Sequence, residues 1–144
     1  MAEGARSRAS LELAATKEAV VRRMVDALQR ADAAAINELV SDDIVYHFPG
    51  GSEVAGTYRG RAEVLGLLGA LRRLLDGPPR LSNHDVVASE AHVVELSTNA
   101  AERDGRSHEW RVARIYHVGD ADRITEIWLM IDDLPAFEAW LAAT

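Results

Sequence analysis

Residues 80–131 read RLSNHDVVASEAHVVELSTNAAERDGRSHEWRVARIYHVGDADRITEIWLMI. Across this stretch the pattern repeats every second residue, the period of a β-strand. Trp110, Val112, Arg114 and Tyr116 fall on one side of a run, and Glu109, Arg111, Ala113 and Ile115 on the other. Turn signals near Ser89-Glu90, at Asp104-Gly105 and at Gly119-Asp120 divide the stretch into four runs. Asp-Gly between two strands favours a type I′ hairpin, because both central residues then need positive φ. Four consecutive runs joined in this way predict an antiparallel meander.

On the N-terminal side the period becomes helical. Val20, Met24 and Leu28 form one stripe, with Val21 and Val25 beside it, and predict a helix over about Ala15–Ala31 with Thr16 as N-cap. Asp32 restarts a short helix in which Ile36, Leu39 and Val40 face inward. Residues 44–48 alternate as a strand, with Ile44, Tyr46 and Phe48 on one face and Val45 and His47 on the other, and Pro49-Gly50-Gly51 ends it. A loop carrying Gly56, Tyr58 and Gly60 leads into a third helix, Arg61–Leu75, with Val64, Leu68, Leu71 and Leu75 along its stripe and Gly77-Pro78-Pro79 as its stop. Beyond the meander, Asp133 caps a last helix with Pro135 in its first turn and Phe137, Trp140 and Leu141 on its apolar side. Helices followed by a one-sided sheet imply an α+β fold. The expected architecture is N-terminal helices packed on a curved antiparallel sheet, a cone-shaped α+β barrel enclosing a hydrophobic cavity.

The chain has 144 residues, the size of one domain. Residues 1–14 carry no apolar signal segment and read as a flexible leader, and residues 15–144 as the single domain. There is no cysteine, so disulfides and thiolate metal sites are excluded and a reducing, cytoplasmic location fits. Sixteen Lys and Arg against 23 Asp and Glu give a net charge of −7, which repels phosphate backbones and argues against nucleic acid as a partner. No apolar run approaches the roughly 18 residues of a membrane span. The expected partner is a hydrophobic small molecule.

Two local patterns narrow the family. Tyr46-His47-Phe48-Pro49-Gly50 is followed by Ala55-Gly56-Thr57-Tyr58-Arg59-Gly60-Arg61 and then Val64, and the last strand reads Arg123-Ile124-Thr125-Glu126-Ile127-Trp128. In this order and spacing the chain resembles the SnoaL-like polyketide cyclases of the nuclear transport factor 2-like superfamily. That superfamily holds ketosteroid isomerases, polyketide cyclases, epoxide hydrolases and binding proteins without catalysis, so the site has to choose among them. The resemblance places the ketosteroid isomerase base, tyrosine and protonated aspartic acid at Phe48, Met24 and Arg114, none of which can perform its role. It places the SnoaL-like aspartate base at Leu129, and the Asp-Arg-Asp set of limonene-epoxide-hydrolase-like enzymes at Ser97, Glu95 and Leu129. No inherited catalytic set is intact.

With residue 114 inward, period two also turns His108, Trp110, Val112 and Tyr116 inward. The same register turns Glu95, Ser97 and Asn99 inward on the preceding strand, and Ile127, Leu129 and Ile131 on the last. The cavity then has an apolar base of Ile44, Phe48, Met24, Leu129 and Ile131 and one polar side. Glu95 and Arg114 on adjacent strands can form a charge-assisted pair. Three readings of that pair stay open: orientation or ionisation of a substrate carbonyl or enol, a purely structural ion pair, or exposure through a one-residue slip. Each of Tyr46, Tyr58 and Tyr116 is either a hydrogen-bond donor to a ligand oxygen or a core tyrosine with its hydroxyl at the rim. The candidate catalytic residues are Glu95, Arg114 and Tyr116. Substrate contacts are expected from Met24, Tyr46, Phe48, Tyr58, Ser97, Asn99, His108, Trp110, Val112, Ile127, Leu129 and Ile131. His47, His84, His92, His108 and His117 are dispersed, and His92 and Glu95 point to opposite faces, so no metal site and no cofactor are expected. No Gly-x-Ser-x-Gly elbow is present. Trp128, Met130 and Glu126 lie on the outer face of the last strand, where a homodimer partner would cover them.

The expected function is a polyketide-cyclase-like enzyme of secondary metabolism, of the kind used in antibiotic biosynthesis. It would close a ring in a hydrophobic substrate by conformer control, as in a cycloaddition, because the usual base is missing. The rivals are an acid-base isomerase or hydrolase that uses Glu95, and a non-catalytic small-molecule-binding module.

Overall fold

The computed structural model describes residues 7–143. Four helices, α1 (Arg8–Gln29), α2 (Ala33–Leu39), α3 (Arg61–Leu74) and α4 (Leu134–Ala142), accompany six strands, β1 (Val40–Phe48), β2 (Gly56–Arg59), β3 (Arg80–Ala88), β4 (Val93–Arg103), β5 (Arg106–Val118) and β6 (Ile124–Ile131). The fold is α+β, as expected.

The meander forms as the alternation predicts. β3, β4, β5 and β6 pair antiparallel in sequence order, and Asp104 and Gly105 turn between β4 and β5 with φ of 51° and 75°. Two features of the sheet differ from expectation. β1 joins β6 in parallel, so the six-stranded sheet is mixed rather than wholly antiparallel. A long connection through β2, α3 and three strands separates the pair, and no hairpin forces it to be antiparallel. The strand order β2-β1-β6-β5-β4-β3 also leaves the sheet open, with β2 and β3 as edges, so the barrel is not closed.

The segment expected as a loop around Tyr58 is edge strand β2, with Tyr46 opposite Tyr58. Its four residues are too short for periodicity to show, and pairing to β1 orders them. The first helix starts earlier than expected. Ser7 is its N-cap, and its Oγ accepts from the Ser10 amide at 3.1 Å. Thr16 is therefore not a cap; its hydroxyl lies inside the helix and donates to the Glu12 carbonyl at 3.0 Å. Residues 8–14 of the expected leader are helical, and Ala14 is buried. Residues 1–6 of that leader lie outside the described residues. The helix closes before Ala31, which adopts φ of 51° while the Asp32 amide donates back to the Ala27 carbonyl at 2.9 Å.

Two apolar clusters carry the core. One joins Val20, Val21 and Met24 of α1 to Ile36, Ile44, Val64, Tyr116 and Ile127. The other joins Phe48, Leu67, Trp110, Val112 and Leu129 to Phe137, Trp140 and Leu141 of α4. Each large aliphatic or aromatic side chain buried in this way contributes about 1.5–3 kcal/mol. The two clusters flank a space between helices and sheet.

Candidate functional site

That space is a cavity of about 300 Å³, at the lower end of the range of ligand pockets. Members of both clusters line it: Met24, Ile36, Val64 and Ile127 from one, and Phe48, Leu67, Trp110, Leu129 and Phe137 from the other. The exposed lining residues Ala33, Arg72 and Pro78 mark its rim. Arg72 donates from Nη2 to the Ala31 carbonyl at 2.8 Å, tying α3 to the α1–α2 turn there.

One wall is polar. Tyr46, Asn99, Arg114 and Tyr116 line the cavity from β1, β4 and β5. Arg114 and its cross-strand partner Glu95 form a buried ion pair, with Arg114 Nη1 donating to Glu95 Oε2 at 2.8 Å. Ser97 Oγ donates to the same oxygen at 2.6 Å, and Tyr116 Oη donates to Oε1 at 2.5 Å. Glu95 is 0% exposed and does not line the cavity. It sits behind Arg114 and Tyr116 and holds both from the rear.

Arg114 is only 7% exposed. Burial opposes its charge, but the Glu95 carboxylate and the Tyr46 and Tyr116 oxygens outweigh that penalty and raise its pKa. A guanidinium carries five N–H donors, and the Glu95 bond uses one. The site thus sets a guanidinium, paired from behind with Glu95 and beside Tyr46, in a mostly apolar enclosure. Burial, then Glu95, pushes the Tyr116 phenol well above its ordinary range, against the opposing effect of Arg114. Tyr116 therefore serves as a neutral donor whose proton is committed to Glu95.

Of the candidate substrate contacts, Met24, Tyr46, Phe48, Asn99, Trp110, Val112, Ile127 and Leu129 line the cavity together with Arg114 and Tyr116. Five expected residues do not. Glu95 and Ser97 are consumed in the network behind the wall, where Asn83 Nδ2 also reaches Ser97 Oγ at 3.1 Å. Tyr58 turns its hydroxyl to the Val54 carbonyl at 2.7 Å, and burial raises its pKa. His108 stacks on both Trp110 and Trp140, with ring centroids 5.9 and 5.2 Å away, and is not among the lining residues. Ile131 packs in the cluster beneath α4. Ile44, expected in the apolar base, is fully buried core and not lining.

Several lining residues were missed. Leu68 and Leu71 lay on the α3 stripe, which signalled a buried face but not a ligand wall. Phe137 was read only as the apolar side of α4. Arg72 follows directly on that α3 stripe, a position that marks a helix face turning from core to rim. Among the described residues no carboxylate and no histidine lines the cavity, and none form a metal-binding cluster.

The backbone frame and the chain's relatives agree. An uncharacterized protein of Mycobacterium bovis is 28% identical over 124 residues, covering 85% of this chain and 94% of its own. The structure of Bal32a from a soil-derived mobile gene cassette superimposes with a TM-score of 0.84 at 23% identity, covering 90% of this chain and 98% of that one. A Mycobacterium tuberculosis epoxide hydrolase of the limonene-epoxide-hydrolase-like type superimposes with a TM-score of 0.69 at 25% identity, covering 89% of this chain and 91% of that one. The model of the SnoaL-like domain matches residues 21–127, which run from within α1 into β6 and include the whole polar wall. This chain belongs to the SnoaL-like domain family.

Proposed function

We propose that the cavity binds a small, largely apolar molecule and that Arg114 polarises a carbonyl or enol oxygen on it while the walls hold the reacting atoms together. The observation that carries this reading is the split within the ion pair: Arg114 faces the cavity and its counter-charge Glu95 does not. A charge held by groups behind it needs no reorganisation when negative charge develops in front of it. The reaction that fits is ring closure in a polyketide-type substrate by conformer control, with shape supplying proximity. Leu129, where family chemistries place a carboxylate, lines the cavity as an apolar wall.

Acid-base chemistry through Glu95 is less well supported, because Glu95 reaches a guest only through Arg114 or Tyr116. The absence of a lining carboxylate or histidine among the described residues favours one second reading, binding without turnover.

Rates on linear polyketide precursors, measured beside the uncatalysed reaction, separate these readings. Glu95→Gln is expected to cost less than about tenfold, whereas loss of a general base costs about 10²–10⁴-fold. Removing the Arg114 donor is expected to cost up to about 3–4 kcal/mol of transition-state stabilisation, and Leu129→Trp, which fills the pocket, more than Glu95→Gln. Arg114→Met strands a buried carboxylate, which can cost about 3–5 kcal/mol of stability. The double change Glu95→Gln/Arg114→Met keeps the volume and removes both charges. A folded Glu95→Gln protein that loses three orders of magnitude would overturn the proposal in favour of acid-base work, and a wild-type rate equal to the uncatalysed one would leave binding alone.

A further inference from the structure

Asn99 is the second polar landmark of the cavity, and the network around Glu95 does not use it. It is 6% exposed, it lines the cavity, and its Oδ1 is buried with no hydrogen-bond partner in the protein. Its neighbours there are apolar: Leu81 opposite it on β3, Trp110 opposite it on β5, and Phe137 of α4 in the same wall. A buried carbonyl oxygen without a partner is unfavourable, and native proteins rarely leave one so. Here the residue lines a ligand-sized space.

Its position relative to Arg114 is set by the sheet. Asn99 pairs with Trp110, and Arg114 lies four residues further along β5. Period two keeps both on the inner face, and four residues of strand span roughly 13 Å. The cavity therefore has a cationic, donor-only pole at Arg114 and a neutral pole at Asn99 that both donates and accepts. Apolar side chains fill the wall between them, Val112 among them.

Resting on the reading of the cavity as a ligand site, we infer that Asn99 is a specificity-determining residue and that the ligand is polar at both ends. It has an elongated apolar body with a carbonyl, enol or phenol oxygen at the Arg114 end and a neutral hydroxyl at the Asn99 end. A hydroxyl matches the amide because each group both donates and accepts.

The test uses two rigid probes on the full chain, para,para′-dihydroxybiphenyl and para-phenylphenol, titrated calorimetrically. The inference predicts that the wild type binds the diol about tenfold more tightly, a difference of about 1.4 kcal/mol. In Asn99→Leu the preference disappears, and the ligand-free variant melts no lower than wild type because it loses a buried oxygen that has no partner. Equal binding of the two probes by wild type, or a preference that survives in Asn99→Leu, overturns the inference while leaving the cavity reading intact. Failure of both probes to bind wild type overturns the cavity reading and this inference with it. Should Asn99→Leu not fold, Asn99→Ala, which removes the amide without adding bulk, carries the same comparison.

Discussion

Tyr116 concentrates the chemistry of single residues. It is 0% exposed, and its hydroxyl donates to Glu95 at 2.5 Å. Its phenol pKa is raised, first by burial and then by Glu95. A raised folded-state pKa means that the neutral form is the one the fold favours. Its contribution is fully present below the free phenol pKa of about 10 and is lost as pH rises through the folded value. We expect Tyr116→Phe to cost about 1.5–3 kcal/mol near neutrality, as for a hydrogen bond to a charged group. The gap between wild type and variant should shrink in strong alkali, as read by denaturant titrations across pH; a gap that widens with pH would contradict the assignment. Much of this network was legible from period two alone, since placing residue 114 inward also turned in Glu95 and Tyr116. What period two does not give is depth. Glu95 and Ser97 point inward yet lie behind Arg114, because the longest polar side chain of the group extends past them. Tyr58 and His108 do not line the cavity; each has a nearer partner, a carbonyl for one and two indole rings for the other.

At the scale of elements, strand alternation and turn chemistry located β3 to β6, and the Asp104-Gly105 turn has the positive φ pair its sequence called for. Helix boundaries were less legible. The start of α1 is decided by Ser7, whose capping bond to Ser10 competes with the more central Thr16, and no Gly or Pro after Ser7 breaks the helix before the apolar stripe begins. Ser7→Ala should therefore destabilise the protein by about 1 kcal/mol, and Thr16→Ala by less. Thermal unfolding of the two variants would reverse the assignment if Thr16→Ala proved the costlier. β2 escaped periodicity because four residues cannot show it. The parallel β1–β6 pair escaped because it depends on a contact between residues about 80 apart in the chain, such as His47 and Trp128.

The whole molecule presents two faces. The inner one holds the cavity. On the outer one, Val87, Val94, Ile115 and Trp128 pair in turn across four strands, and Leu96, Ala113 and Met130 form a second row beside them. Leu96 and Met130 are 41% and 53% exposed, and His47 stacks on Trp128 at 5.7 Å. We propose that a second copy covers this face, since rows of this kind are unfavourable in water. Sedimentation at micromolar concentration should give a dimer, and a single species at 15.7 kDa would contradict it. The cavity was legible in outline, as a one-sided sheet under helices, but its α3 wall was not, because a core stripe and a ligand wall use the same apolar residues. On this reading Arg114 acts as a fixed cation on a guest in this cavity. The most direct measurement is the pKa of para-nitrophenol bound to the protein, followed by its absorbance. Binding to wild type should lower it by about 1–3 units, as an adjacent cation does, and Glu95→Gln/Arg114→Met should abolish the shift. A bound phenol that titrates as it does in water, or a shift that persists without Arg114, would rule out Arg114 as the polarising group.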